Sequence, residues 1–354
     1  MHTKTGSLRY WQRTPIAMTE VWKKHILENT DATEAYRLES VQSLWSGYGE
    51  IFRVQLQPES LGTLIVKQIS PGGNTRHPRG WNTDRSLMRK LKSYDVESQW
   101  YTSWSQQCND KCRIPECIAS VKEGNNSWII LEDLDAAGYS HRHSALTSKQ
   151  AEPCLSWLAG LHARFLHRQP EGLWPVGTYW HLDTRPDEFE MIQDGVIKDL
   201  ALDIDQLLSN CQYRTIVHGD AKVANFCFND DDSKVAAVDF QYVGGGCGMK
   251  DIAYFFGSCF DEQECKRNVP ALLDYYFAEL SSATDENIDI DALEREWRDL
   301  FAPAWTDFYR FLLGWLPRET SNTLAHPKIH SYTETLAQQT ISQLIAGSKS
   351  DQPV

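Results

Sequence analysis

Asp220, Asn225 and Asp239 are the residues whose types and spacing could do chemistry. They lie in Ile216-Val217-His218-Gly219-Asp220-Ala221-Lys222-Val223-Ala224-Asn225-Phe226 and, soon after, Val235-Ala236-Ala237-Val238-Asp239-Phe240. An apolar pair leads into His-Gly-Asp, a polar loop carries Asn225, and a short apolar strand delivers Asp239. Two carboxylates and one amide at this spacing suit phosphoryl transfer. Asp220 can accept or orient the proton of a substrate hydroxyl, and Asn225 and Asp239 can hold Mg²⁺ against nucleotide phosphates. Such oxygen donors suit Mg²⁺, which completes its shell with water and phosphate. A solvated acidic turn between strands would account for His-Gly-Asp alone. It leaves unexplained the asparagine five residues on and the strand that ends in Asp239.

The order Asp-x-Lys-x-x-Asn resembles the catalytic loop of protein kinases. His-Gly-Asp resembles the small-molecule branch of that superfamily, which holds aminoglycoside phosphotransferases, choline kinases and ecdysteroid-kinase-like proteins. Three further segments carry the resemblance. Tyr94-Asp95-Val96-Glu97-Ser98-Gln99-Trp100-Tyr101 resembles the glutamate segment of the ecdysteroid-kinase-like group. Leu158-Ala159-Gly160-Leu161-His162-Ala163 resembles the Leu-Ala-x-Leu-His-Ala helix. Asp251-Ile252-Ala253 resembles an Asp-Leu-Ala whose aspartate braces the catalytic loop. The resemblance spans roughly Gly47 to Asp251, and its strength lies in the order of the features.

That resemblance implies an α+β, bilobal protein-kinase-like fold. Residues 1–131 would form an N-terminal nucleotide-binding lobe of antiparallel sheet and helix, and 132–354 a larger, mostly helical lobe. It implies ATP and Mg²⁺ as cofactors and a small molecule with a hydroxyl as acceptor. Gly47 and Gly49 would cover the phosphates, and Lys67 would bridge the α- and β-phosphates while paired with Glu97. Glu132 and Leu134 would lie at the hinge that meets the adenine edge. Lys222 would stabilise charge on the transferring phosphate, and His162 would be structural. Phe240-Gln241 departs from the Phe-Gly or Trp-Asp common after the metal aspartate.

The elements that must position these residues can be read from pattern. Val21, Trp22, His25, Ile26 and Leu27 fit a short amphipathic helix over 19–28. A strand over 35–41, a glycine turn and the alternating Ile51 to Leu56 make a hairpin, followed by a strand ending in Lys67. Residues 71–81, rich in Pro, Gly and Asn, form a loop. A helix runs from Asp84 through Trp104, then a hairpin joins 114–121 to 127–131. Thr147 caps a helix to about Gln169. Residues 170–185 pack over the site or within the fold, and short helices occupy 186–211. The run Gly244-Gly245-Gly246 is flexible, and without Gly-Lys-Ser/Thr after it is no P-loop. Helices follow at 262–281, 290–315 and 326–347. In the last but one, Ala304 to Trp315 either walls the acceptor pocket or builds the core.

Single features have plainer readings too. The glycine turn fits an ordinary hairpin, Lys67 an edge-strand lysine in water, Glu97 a solvated helix face, and Asp251 an N-cap. At the level of function, the alternatives are a nucleotide-binding module without turnover and a hydrolase using Asp220 with His218. A protein kinase is disfavoured, because no Ala-Pro-Glu follows Asp239 at activation-loop distance.

Composition bounds the rest. The 354 residues suit one large or two medium domains. A net charge of −13 argues against a nucleic-acid coat. No apolar run reaches membrane-spanning length, and the first residues lack the apolar core of a secretory signal. The nine cysteines are an odd number, and their only cluster, Cys108, Cys112 and Cys117, lacks a second close pair and a nearby histidine for zinc. Free thiols in a reducing cytoplasm follow, with a monomer or homodimer as the expected state.

Overall fold

The computed structural model describes residues 16–44, 47–71, 84–193, 195–315 and 330–350. The chain divides into two compact units, with boundaries at 75/76, 116/117 and 133/134.

Among the described residues, the first unit is a five-stranded antiparallel sheet with one α-helix. Its strands are β1 (Glu34–Ser43), β2 (Gly49–Gln57), β3 (Thr63–Ile69), β4 (Cys117–Glu123) and β5 (Asn126–Glu132), in the order β1-β2-β3-β5-β4. Alternation decides which face of β2 is inside. Phe52, Val54 and Leu56 are buried while their neighbours are half-buried, as period-two side-chain placement requires. Opposite them, α1 (Ile16–Asn29) contributes Trp22 and Ile26, one turn apart, to a core that also holds Val66, Trp128 and Ile130. The turn from β1 to β2 has Gly47 at φ 68° and Gly49 at φ 143°, so the expected strand–glycine–strand layout is present. Residues 45 and 46 within it, and the loop expected over 71–81 from residue 72 on, lie outside the described residues.

The second unit begins with α2 (Asp84–Gln99), which runs into a π-helical turn, Trp100–Trp104. Residues 84–116 group with the helical unit. The cause is aromatic: Trp100 stacks on Phe240 at 4.6 Å and meets Phe165 edge-on at 5.7 Å. α3 (Ser148–Arg164) opens with the cap expected at Thr147, which the structure extends to a capping box with Gln150. It ends before Gln169, because His167 turns to φ 60° and its N–H donates to Arg214 O. Then follow α4 (Pro186–Glu190), α5 (Val196–Asp199) and α6 (Ala201–Ser209).

Two ribbons come next. β6 (Thr215–Val217) pairs with β9 (Gly244–Gly246), and β7 (Phe226–Phe228) pairs with β8 (Val235–Ala237), all antiparallel. The triple glycine is thus a buried strand, not the flexible run expected. A Cβ on Gly244 would stand 2.2 Å from Trp174 O, so the close backbone approach explains the residue type. Among the described residues, four helices complete the unit: α7 (Met249–Cys259), α8 (Glu262–Ala283), α9 (Ile290–Trp315) and α10 (His330–Ser350). In α9 the aromatic segment is mainly core. Trp305, Asp307, Arg310 and Phe311 are buried, and Phe308, Leu312 and Trp315 pack half-buried around Trp180 and Tyr254.

Candidate active site

β6 ends at Val217 and the chain turns sharply at Gly219, φ 80°. The turn is held from α7. The fully buried Asp251 carboxylate accepts the backbone N–H of His218 at 2.6 Å and of Gly219 at 2.9 Å. His162 of α3 donates to the same carboxylate from Nε2 at 3.2 Å, with Tyr276 Oη 2.8 Å from its Nδ1. Asp251 therefore braces the loop, and His162 is satisfied by Asp251 and Tyr276.

His218 is also committed. Its Nε2–H donates to Val238 O at 3.1 Å, which makes Nδ1 the acceptor of the Asp220 N–H at 3.2 Å. Burial lowers its pKa against the pull of Asp251, favouring the neutral ring. With both nitrogens engaged by backbone, His218 shapes the loop and is no general base; the hydrolase reading loses its second residue.

The next residues converge on one oxygen. Lys222 Nζ lies 2.8 Å and Asn225 Nδ2 3.0 Å from Asp220 Oδ2, and Nδ2 is also 2.8 Å from Asp220 O. Asn225 sits at the end of a 3₁₀ turn, Val223–Asn225, whose carbonyl accepts Val238 N–H at 3.0 Å. Its amide nitrogen is thereby spent on Asp220, and Oδ1 is the atom suited to a cation. Asp239 follows β8 at φ 70°, a left-handed conformation that Asp tolerates better than most residues. Burial raises the Asp220 pKa, with Asp239 adding to the rise and Lys222 opposing it. For Lys222, burial works to lower the pKa, but Asp220 and Asp239 outweigh it and the net shift is upward. Asp220, Lys222, Asn225 and Asp239 thus form one electrostatic cluster. The two oxygen side chains, Asn225 and Asp239, fit the hard-donor preference of Mg²⁺.

Two tyrosines at Asp220 escaped the sequence reading. The Tyr179 and Tyr254 rings are 5.6 Å apart, and the Asp220 charge acts on both phenols. Burial raises the pKa of both phenols, so they stay protonated. Tyr254 had a signal: it is one helical turn after Asp251, on the same face of α7. Tyr179 had none. It arrives on the segment 174–179, whose N–H groups at Trp174, Gly177, Thr178 and Tyr179 donate to the carbonyls of Val243, Gly245, Tyr242 and Gly219.

The remaining expected residues belong to their own elements. Lys67 is buried on the central strand β3, so it is not an edge-strand lysine in water. Glu97 is buried on α2, so it is not on a solvated face. Glu132 is half-buried at the end of β5. Leu134 packs on Cys227 and Ala236, and its carbonyl accepts Tyr139 N–H at 2.8 Å. Between them lies buried Asp133, which the sequence reading passed over. Its Oδ2 accepts from Arg53 Nε and Thr63 Oγ1, both at 2.6 Å. All nine cysteines are free thiols. Among the described residues no helix is long and apolar enough to cross a membrane.

Among solved structures, the chain is similar to a microcompartment-associated aminopropanol kinase, with 13% identity, 85% of this chain and 94% of that chain covered, and a TM-score of 0.46. It is similar to an aminoglycoside-3'-phosphotransferase of type VIII at 16% identity, with 78% and 99% covered and a TM-score of 0.41. It is similar to an ethanolamine kinase of Plasmodium vivax at 10% identity, with 87% and 81% covered and a TM-score of 0.43. No curated protein matches the sequence. The model of the ecdysteroid kinase-like family matches residues 63–171 and 177–287, which take in β3, α2, α3, the His-Gly-Asp turn, Asp239 and Asp251. With most of the chain and the whole His-Gly-Asp turn inside that match, the protein belongs to the ecdysteroid kinase-like family.

Proposed function

We propose that the protein is an ATP-dependent small-molecule kinase that transfers the γ-phosphoryl group to an acceptor hydroxyl. The observation that carries this reading is the convergence of Lys222 and Asn225 on Asp220 Oδ2, with Asp239 beside them. The acceptor oxygen attacks the γ-phosphorus, the bond to the β–γ bridging oxygen breaks, and ADP leaves. The hydroxyl proton passes to Asp220, which is ionised before attack. Lys222 offsets charge on the transferring group, and the protein acts mainly by positioning and electrostatics. Asn225 and Asp239 would hold Mg²⁺, which when bound neutralises phosphate charge. Lys67, paired with Glu97, would orient the α- and β-phosphates under the turn of Gly47 and Gly49, with the adenine edge near Glu132 and Leu134. A cytoplasmic location fits the nine free thiols.

The test has two arms. ATP with Mg²⁺ should raise the melting temperature of the wild type, and Asp239→Ala should lose the Mg²⁺-dependent part. ADP release over a panel of amino alcohols, sugars, sterol-like alcohols and aminoglycosides should then find an acceptor. Asp220→Ala should abolish that release while keeping the thermal shift. Unchanged turnover in Asp220→Ala would sink the reading. Stabilisation by ATP without turnover on any acceptor would favour a binding module.

A further inference from the structure

Gln241 stands where glycine follows the metal-binding aspartate of protein kinases, and its side chain is not idle. It is 7% exposed, and both ends of its amide are used. Nε2 donates to Asp239 Oδ1 at 2.8 Å. Oε1 accepts from Lys90 Nζ at 2.9 Å and lies 3.2 Å from the Ser93 hydroxyl. Lys90 and Ser93 are one turn apart on α2, the helix that carries Glu97. The backbone is fixed as well, since Trp174 Nε1 donates to Gln241 O at 2.8 Å. Next to it, Phe240 stacks on Trp100 and meets Tyr101 edge-on at 5.9 Å, both just beyond the end of α2.

We infer that Gln241 is a positioning residue that ties α2 to the Asp239 carboxylate and sets that carboxylate for Mg²⁺. The inference rests on the function proposed above. Its chemistry is directional. A carboxylate only accepts and an ammonium only donates, so a side chain that bridges Asp239 and Lys90 must offer both a donor and an acceptor. An amide supplies a donor for Asp239 and an acceptor for Lys90, and each bond polarises the other. The donor fixes rotation of the carboxylate, which sits on a left-handed backbone that its surroundings must hold. Alanine would remove the tie. Glutamate, equal in size, would remove the donor and set a second negative charge against Asp239.

The experiment is a thermal-shift titration of the full-length protein with Mg²⁺ at saturating ATP, and with ATP alone. Wild type, Gln241→Ala, Gln241→Glu, Lys90→Met, the double variant Gln241→Ala/Lys90→Met, and Asp239→Ala are compared. Loss of an outer hydrogen bond to a metal ligand weakens metal binding about 10- to 100-fold. The Mg²⁺ midpoint should rise by that factor in Gln241→Ala and by at least as much in Gln241→Glu, with the metal-free ATP shift unchanged. Lys90→Met should raise the midpoint alone and add nothing in the Gln241→Ala background, because residues acting in series are not additive. A lower melting temperature of the ligand-free Gln241→Ala protein with an unmoved Mg²⁺ midpoint would make the residue merely structural and overturn the inference. Additive effects of the two substitutions would overturn the link to α2. A Mg²⁺ response that survives Asp239→Ala, or is missing from the wild type, would remove the function proposed above and this inference with it. A wild-type response lost in Asp239→Ala but unaltered in every Gln241 variant would remove the inference alone.

Discussion

Asp251 is the keystone of the His-Gly-Asp turn, and its removal has a calculable cost. The carboxylate is fully buried and takes three donors: two backbone N–H groups and the His162 ring. Each buried donor left without a partner costs about 1–3 kcal/mol. Three of them in Asp251→Ala set a range of roughly 3–9 kcal/mol, and losing one partner of a buried charged contact typically costs about 3–5 kcal/mol. A loss near 4 kcal/mol is a large part of the roughly 5–15 kcal/mol that holds a domain together. Asp251→Asn is the gentler probe. Its oxygen still accepts one N–H, but its NH₂ faces a second donor, so a loss of about 2 kcal/mol is expected. Urea unfolding followed by tryptophan fluorescence measures it, and the ATP–Mg²⁺ thermal shift reports the turn. His162→Phe in the Asp251→Asn background should cost less than the sum of the single changes. An Asp251→Asn protein within about 0.5 kcal/mol of wild type, the range of ordinary surface substitutions, would refute the bracing argument.

Three other outcomes follow from the geometry. Lys222→Met removes the cation that holds the raised Asp220 pKa down. In the proposed mechanism activity needs ionised Asp220 and falls as pH drops through its folded pKa, so the acid limb of kcat/KM for ADP release should move to higher pH; an unmoved limb contradicts this. Gly219→Ala puts a Cβ 2.0 Å from Tyr242 O at φ 80°. The left-handed backbone alone costs about 1–2 kcal/mol, so the urea midpoint should fall further than that accounts for. Thr147→Ala breaks the capping box of α3 and should cost about 1 kcal/mol, with ATP binding untouched.

Much of the site was legible because its chemistry is local in sequence. Asp220, Lys222 and Asn225 meet within five residues, so their types and spacing sufficed. The inner face of β2 and the cap at Thr147 were legible for the same reason, through period-two alternation and a four-residue motif. What spacing cannot carry is the partner from elsewhere. The glycine run looked flexible because nothing at 244–246 announces that Trp174 and Pro175 press their carbonyls against it. Asp133 gave no sign of Arg53 and Thr63, and Tyr179 none of Asp220. Nor does spacing announce the stack of Trp100 on Phe240, 140 positions apart.

The bonds that shape the Gly219 turn are long in sequence. Asp251 reaches His218 across 33 residues and Gly219 across 32, and His162 reaches Asp251 across 89. Closing such loops costs entropy that the helices, whose bonds are four residues long, do not face. Mild denaturant should therefore abolish the ATP–Mg²⁺ thermal response expected of the proposed function while the circular dichroism still reads as folded. The helices would persist as a scaffold, and the segment from Trp174 to Tyr179 would be the first seam to part.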